Sequence, residues 1–148
     1  MSLKEKIESD LKEAMKAKET VKVSCLRLVK ASIKNKEIDV RGILDDNQVI
    51  VILSTFAKQR KESIEQFKKG GRDDLVRQEE SELAVIEGYL PKQLSEKELE
   101  EFVVRAIAAT GAKDPKEVGK VMKAVMPKIA GRADGKRINA IVLKKLTA

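Results

Sequence analysis

Six basic residues gather around a single carboxylate near the end of the sequence: Lys120, Lys123, Lys128, Arg132, Lys136 and Arg137, with Asp134 among them. The densest part reads PKIAGRADGKRIN, Pro127 to Asn139, and also contains Gly131 and Gly135. Lysine and arginine at this density offer charge-assisted hydrogen bonds to phosphate oxygens. Asp134 is placed to cap a following helix, whose unpaired amides and partial positive charge would add to the hold on an anion. The glycines suit tight turns at one helix end and the next helix start. Two readings stand side by side: a holder for a phosphate backbone, or a capped turn with solvated lysines.

Other chemistry is scarce. Histidine is absent, which removes the commonest acid/base at neutral pH and the commonest metal ligand. Cys25 falls on an apolar helix face and reads as core, since a reactive thiol needs exposure and a positive neighbourhood. No glycine-rich phosphate loop follows a strand. The neighbours Glu79/Glu80 and Glu100/Glu101 point to different helix faces and cannot work as pairs. The expectation is no catalytic constellation, no metal site and no cofactor. Aromatic residues make up only 3%, so stacking on single-stranded bases is disfavoured. A folded RNA, met through its shape and backbone, fits better.

Charge is distributed unevenly. Lys113 to Ala148 carry ten Lys/Arg against three Asp/Glu, whereas the preceding residues hold 21 of each sign. The whole formal excess of +7 thus sits where the basic cluster lies, which suits a polyanion.

The elements that position these residues read as helices throughout, an all-α chain of eight or fewer helices. Ser2 and Glu5 form a capping box ahead of Leu3, Ile7, Leu11 and Met15. Thr20 is expected to cap a second helix reaching about Lys36, with Cys25, Leu26, Val29 and Ile33 inward and Arg27, Lys30 and Lys34 on a separate face. EIDVRGILDDN reads as a loop or a frayed helix end. A third helix starts at Asp46 or Asn47 and runs to about Lys69. A turn at KGGR and a cap at Asp73 begin a fourth, completing an antiparallel hairpin. Arg60 interrupts the apolar stripe of the third helix about level with Glu82 and within reach of Glu79, which predicts a partly buried ion pair fixing the hairpin register.

Pro91 in YLPKQLSEKEL marks the boundary between two subdomains, residues 1–94 and 95–148. Ser95 caps a fifth helix that closes at Gly111, and Asp114-Pro115 opens a sixth. The seventh carries Ile138, Ile141, Val142 and Leu146. No run of about 18 apolar residues exists to cross a membrane, the first ten residues lack the apolar stretch of a signal peptide, and a lone cysteine fits a reducing compartment. These features together predict a cytoplasmic protein.

Three stretches, KQRKESIEQFKKGGRDDL, YLPKQLSEKEL and VGKVMKAVMPKIAGRADGKRIN, resemble in order and spacing the YqeY family of small bacterial proteins. The opening LKEKIESDLKEAMKAKE and RLVKASIKN extend the likeness over nearly the whole chain. The last motif is shared with the tail domain of the GatB component of the aspartyl/glutamyl-tRNA amidotransferase, a carbon–nitrogen ligase that uses glutamine as amido donor. In that enzyme the tail engages the body of the tRNA while catalysis happens elsewhere.

The resemblance implies two helical subdomains and a tRNA-interacting C-terminal bundle of about Ser95 to Ala148. It singles out Lys120, Gly131 and Gly135 as RNA-facing, joined through local charge by Lys123, Lys128, Arg132, Lys136 and Arg137. Gly119, Met122 and Met126 match the motif as packing residues. The catalytic parts of the amidotransferase have no counterpart here. Three roles follow as expectations: a tRNA-binding module, an accessory chain of an amidotransferase-like complex contributing no chemistry, or a protein–protein adaptor.

Overall fold

The computed structural model describes residues 1–129 and 132–147. Among these are seven α-helices, one 3-10 turn and no strand, so the chain is all-α and multihelical. It divides into two units, Met1–Leu90 and Pro91–Ala148. The division falls at Pro91 rather than after Leu94, because Leu94 is buried in the C-terminal core.

The N-terminal unit holds α1 (Leu3–Lys16), α2 (Thr20–Val40), α3 (Asp46–Lys69) and α4 (Asp73–Glu87). The Ser2–Glu5 capping box starts α1 as expected. Two other caps, at Thr20 and Asp73, differ from the sequence reading. Thr20 is the first residue of α2 rather than its cap; Glu19 precedes it with no side-chain capping bond. Helix α3 starts at Asp46 and ends at Lys69 as the sequence reading has it; Asp45 caps it reciprocally with Gln48, while Asp46 reaches across to accept the Leu3 amide at 2.9 Å. Arg72, not Asp73, stands before α4.

Helix α2 also runs one turn past Lys36. Glu37, read as loop or frayed end, is held by Lys4 Nζ at 2.8 Å and by the Leu44 amide at 3.0 Å, and these two bonds keep its carboxyl below the usual range. The helix closes at Arg41 in the left-handed region.

Aliphatic side chains fill the core, among them Ile7, Leu26, Val29, Leu53 and Ile86, all fully buried. Each contributes roughly 1.5–3 kcal/mol by leaving water. Cys25 lies within it, its Sγ donating to the Glu82 carbonyl at 3.8 Å, and burial pushes the thiol up to about 11.

The turn between α3 and α4 places Gly71 at positive φ, and the hairpin it makes brings Arg60 to both glutamates. Arg60 Nε lies 3.2 Å from Glu82 and 3.9 Å from Glu79, and the guanidinium stands 5.3 Å from the centre of the Phe56 ring. Burial first, and the Glu82 charge second, raise the Glu79 carboxyl above its ordinary value, against the lowering pull of Arg60.

For an acid whose folded value is raised, the ionised form costs stability as pH climbs through the unfolded value of 4.5 and beyond. Glu79→Gln is therefore expected to equal or exceed the parent in stability at neutral pH. The advantage should vanish below about pH 4, where both states hold the proton. Urea midpoints across that range check it, and a variant weaker than the parent at neutral pH would contradict it.

The C-terminal unit comprises α5 (Glu96–Thr110), a 3-10 turn (Pro115–Glu117), α6 (Val118–Ile129) and α7 (Gly135–Thr147). The Ser95 hydroxyl accepts from the Glu98 amide, and Gly111 ends α5 at φ 69°, where a side chain would be strained. Val103, Val121, Val125, Ile129, Ile138 and Val142 form its core. One backbone bond ties the leading segment down: the Leu94 amide donates to the Arg132 carbonyl at 2.8 Å.

Candidate nucleic-acid interface

Helix α6 is apolar on one side and basic on the other. Val121, Val125 and Ile129 are buried, whereas Lys120, Lys123 and Lys128 are exposed. The spacing of Lys120 and Lys123 puts them on one helix face. Eight residues separate Lys120 from Lys128, about 12 Å along the axis, so the candidates spread along the helix rather than meeting at one point. Lys136 and Arg137 are exposed in the first turn of α7, at the same end of the helix pair as Lys128, because only five residues, 130–134, separate the two helices.

The three carboxylates of this region are occupied with backbone. Asp114 accepts the Lys116 amide at 2.9 Å, Glu117 the Lys113 amide at 2.6 Å, and Asp134 the Lys136 amide at 3.0 Å. The Asp134 carbonyl also receives the Ile138 amide, so this residue caps α7. These acids keep their negative charge while capping, but the three of them face ten basic residues between Lys113 and Ala148. Among the described residues, the ion pairs within 4.0 Å are those of Lys4, Arg60, Lys61 and Arg72, and none involves a base of the C-terminal unit.

Arg132 is placed differently from the others. It is only half-exposed, and its Nε donates to the Lys92 carbonyl at 3.2 Å. With its own carbonyl bound to Leu94, it fastens the segment that leads into α5, a structural task beside any anionic one. Gly135 heads α7 without a positive φ, and a Cβ there would meet nothing within 4 Å; the tight turn expected of it is not needed. The same open space surrounds Gly119, so close packing does not explain that glycine either. Gly131 lies outside the described residues. Met122 packs against the core and Met126 is exposed.

Sequence reasoning passed over Lys116, Lys144 and Lys145, all exposed. Lys144 sits seven residues from Arg137 and therefore on its face of α7. Their charge was visible in the count of the region; their geometry needed the helix bounds. The described residues bring together no three His, Cys, Asp or Glu side chains that could hold a metal ion, and none of their helices is long and apolar enough to cross a membrane.

A family model described as Yqey-like protein matches residues 4–146. The chain is also similar to proteins named altered inheritance of mitochondria protein 41, mitochondrial. That of Lachancea thermotolerans is 45% identical over 85 residues, or 57% of this chain and 46% of the relative. That of Eremothecium gossypii is 44% identical over 103 residues, 69% and 56%. That of Pyrenophora tritici-repentis is 31% identical over 130 residues, 86% and 71%. The chain spans about half the length of the first two.

These relatives correct the cytoplasmic placement, since each is named as mitochondrial. A lone buried thiol and the lack of an apolar span, on which that placement rested, do not distinguish one aqueous compartment from another. With a match that runs from the first turn of α1 to the last turn of α7, the chain belongs to the YqeY family.

Proposed function

We propose that the C-terminal unit binds a structured RNA through its phosphate backbone, with tRNA as the RNA class. The observation that carries this reading is the excess of basic charge on α6 and α7: exposed lysines and arginines that outnumber the acids of the region and form no ion pair among the described residues. Lys120, Lys123, Lys128, Lys136 and Arg137 supply the affinity, joined by Lys144. Such contacts position a backbone and read little sequence. The choice of tRNA rests on the likeness of the α6–α7 motif to the amidotransferase tail. The role is that of a binding module, and no reaction is assigned to its side chains.

The test is a titration of bulk tRNA against the full chain at 50 and 200 mM salt. About five phosphate contacts would weaken binding on the order of 10²- to 10³-fold between the two, through counterion release. No binding at the lower salt, or binding indifferent to salt, would reject the reading.

A further inference from the structure

A second basic surface lies in the N-terminal unit, hidden there by an overall balance of charge. From Thr20 to Lys36, α2 carries Lys22, Arg27, Lys30, Lys34 and Lys36 and not one Asp or Glu. Arg27, Lys30 and Lys34 are exposed and recur at three and four residues, so they share a face. No ion pair among the described residues uses any of them, nor Lys18.

Beside this face runs an apolar one. Leu28 and Met15 are each 49% exposed, and Val21 is exposed next to them. Met15 and Leu28, with Val23, form the apolar wall of a groove of about 740 Å³ at the junction of α1 and α2. Lys18 and Arg27 are its charged groups, Thr20 and Ser24 its hydroxyls, and no carboxylate lines it.

We propose that this groove and the exposed face of α2 dock an acidic amphipathic helix of a partner protein. Leucine- or methionine-sized anchors would enter between Met15, Val23 and Leu28, while glutamates or aspartates on the flank meet Lys18, Arg27, Lys30 and Lys34. That is the helix-in-groove mode of recognition, with charge fixing orientation and partner choice. Small exposed residues, Ser24 and Ala31, stand seven apart along the same side and leave room for a partner backbone to come close. An RNA backbone matches the face less well, because it would lie against exposed Leu28 and Met15, and no aromatic ring lines the groove to stack a base.

The probe is a 16-residue helical peptide with leucines at i, i+3, i+4 and i+7 flanked by glutamates. Two controls replace the glutamates with lysines or the leucines with serines. Titrated into the full-length chain and followed by backbone amide shifts, the acidic peptide is expected to saturate, with changes confined to α2 and the end of α1. Both controls should bind at least about tenfold more weakly.

Arg27→Glu with Leu28→Ser should abolish binding, and Arg27→Glu with Lys30→Glu should shift preference to the lysine peptide. All of these positions are exposed, and an unchanged circular dichroism spectrum verifies folding. The proposal is overturned by any of three results: no saturable binding of the acidic peptide, equal binding of acidic and basic peptides, or binding unaffected by the variants. It is equally overturned if tRNA perturbs the same amides and displaces the peptide, which would make α2 part of an RNA surface. Failure of tRNA to bind the C-terminal unit leaves this outcome untouched.

Discussion

Arg60→Ala is expected to destabilise the N-terminal unit by about 2–3 kcal/mol, a little below the range for breaking a fully buried ion pair. The Arg60 and Glu82 side chains are each only 14% exposed, so removing the cation leaves Glu82 and Glu79 facing each other with little water to screen them. The guanidinium also loses its place against Phe56, and the cavity deepens the loss. Unpaired carboxylates in this setting hold their protons more tightly than in the unfolded chain. The defect should therefore shrink as pH falls, the sign that distinguishes electrostatic loss from poorer packing.

Replacing Arg60, Glu79 and Glu82 together by leucine should restore much of the stability, since a well-packed apolar cluster can match a buried ion pair. The readout is specific to this unit. Tyr89 is the chain's one tyrosine and tryptophan is absent; its hydroxyl donates to Asp10 at 2.5 Å, so its fluorescence in a urea titration reports the packing of α1 against the end of α4. A shift equivalent to less than about 0.5 kcal/mol would place Arg60 among ordinary surface charges.

That the Arg60 cluster could be located from sequence says something about which features are legible there. A charged residue within an apolar stripe is conspicuous, and a glycine turn of fixed position sets the level of its partners across a hairpin. Helix bounds are less secure where the deciding contact is remote. The last turn of α2 exists because Glu37 finds Lys4 and the Leu44 amide, neither of which a local pattern contains. The start of α3 at Asp46 is legible, but the bond of Asp46 to the Leu3 amide, 43 positions away, is not.

The basic cluster is visible in sequence as composition but not as a surface. Its acids could have been close partners of the lysines, but among the described residues they bond the amides of Lys113, Lys116 and Lys136 and none lies within 4.0 Å of a basic side chain. Arg132 looks like its basic neighbours until its bond to the Lys92 carbonyl sets it apart. The groove beside α2 is hidden for a related reason: a charge count over many residues averages away the acid-free stretch of α2 from Thr20 to Lys36.

Lys136→Glu with Arg137→Glu is expected to weaken tRNA binding about 10²-fold at 100 mM salt and to reduce the salt slope by about two, one unit for each phosphate no longer neutralised. Both residues are exposed, and neither belongs to the core of α7, which is built from Ile138, Ile141, Val142 and Leu146. The substitutions add like charges near Asp134 but leave its bond to the residue-136 amide available, so thermal stability should change little. Reversing charge also lowers the long-range attraction of the whole molecule for any polyanion, and a control must separate the two effects.

Lys58→Glu with Lys69→Glu makes the same change in net charge at exposed positions of α3. If the surface of α6 and α7 is where RNA docks, this second pair should cost no more than about threefold and leave the salt slope nearly intact, because steering falls off within a Debye length whereas direct contacts do not. Equal losses from the two pairs would mean that RNA responds to the net charge of the chain and to no particular face of it. The C-terminal helices would then be a well-capped bundle with solvated lysines.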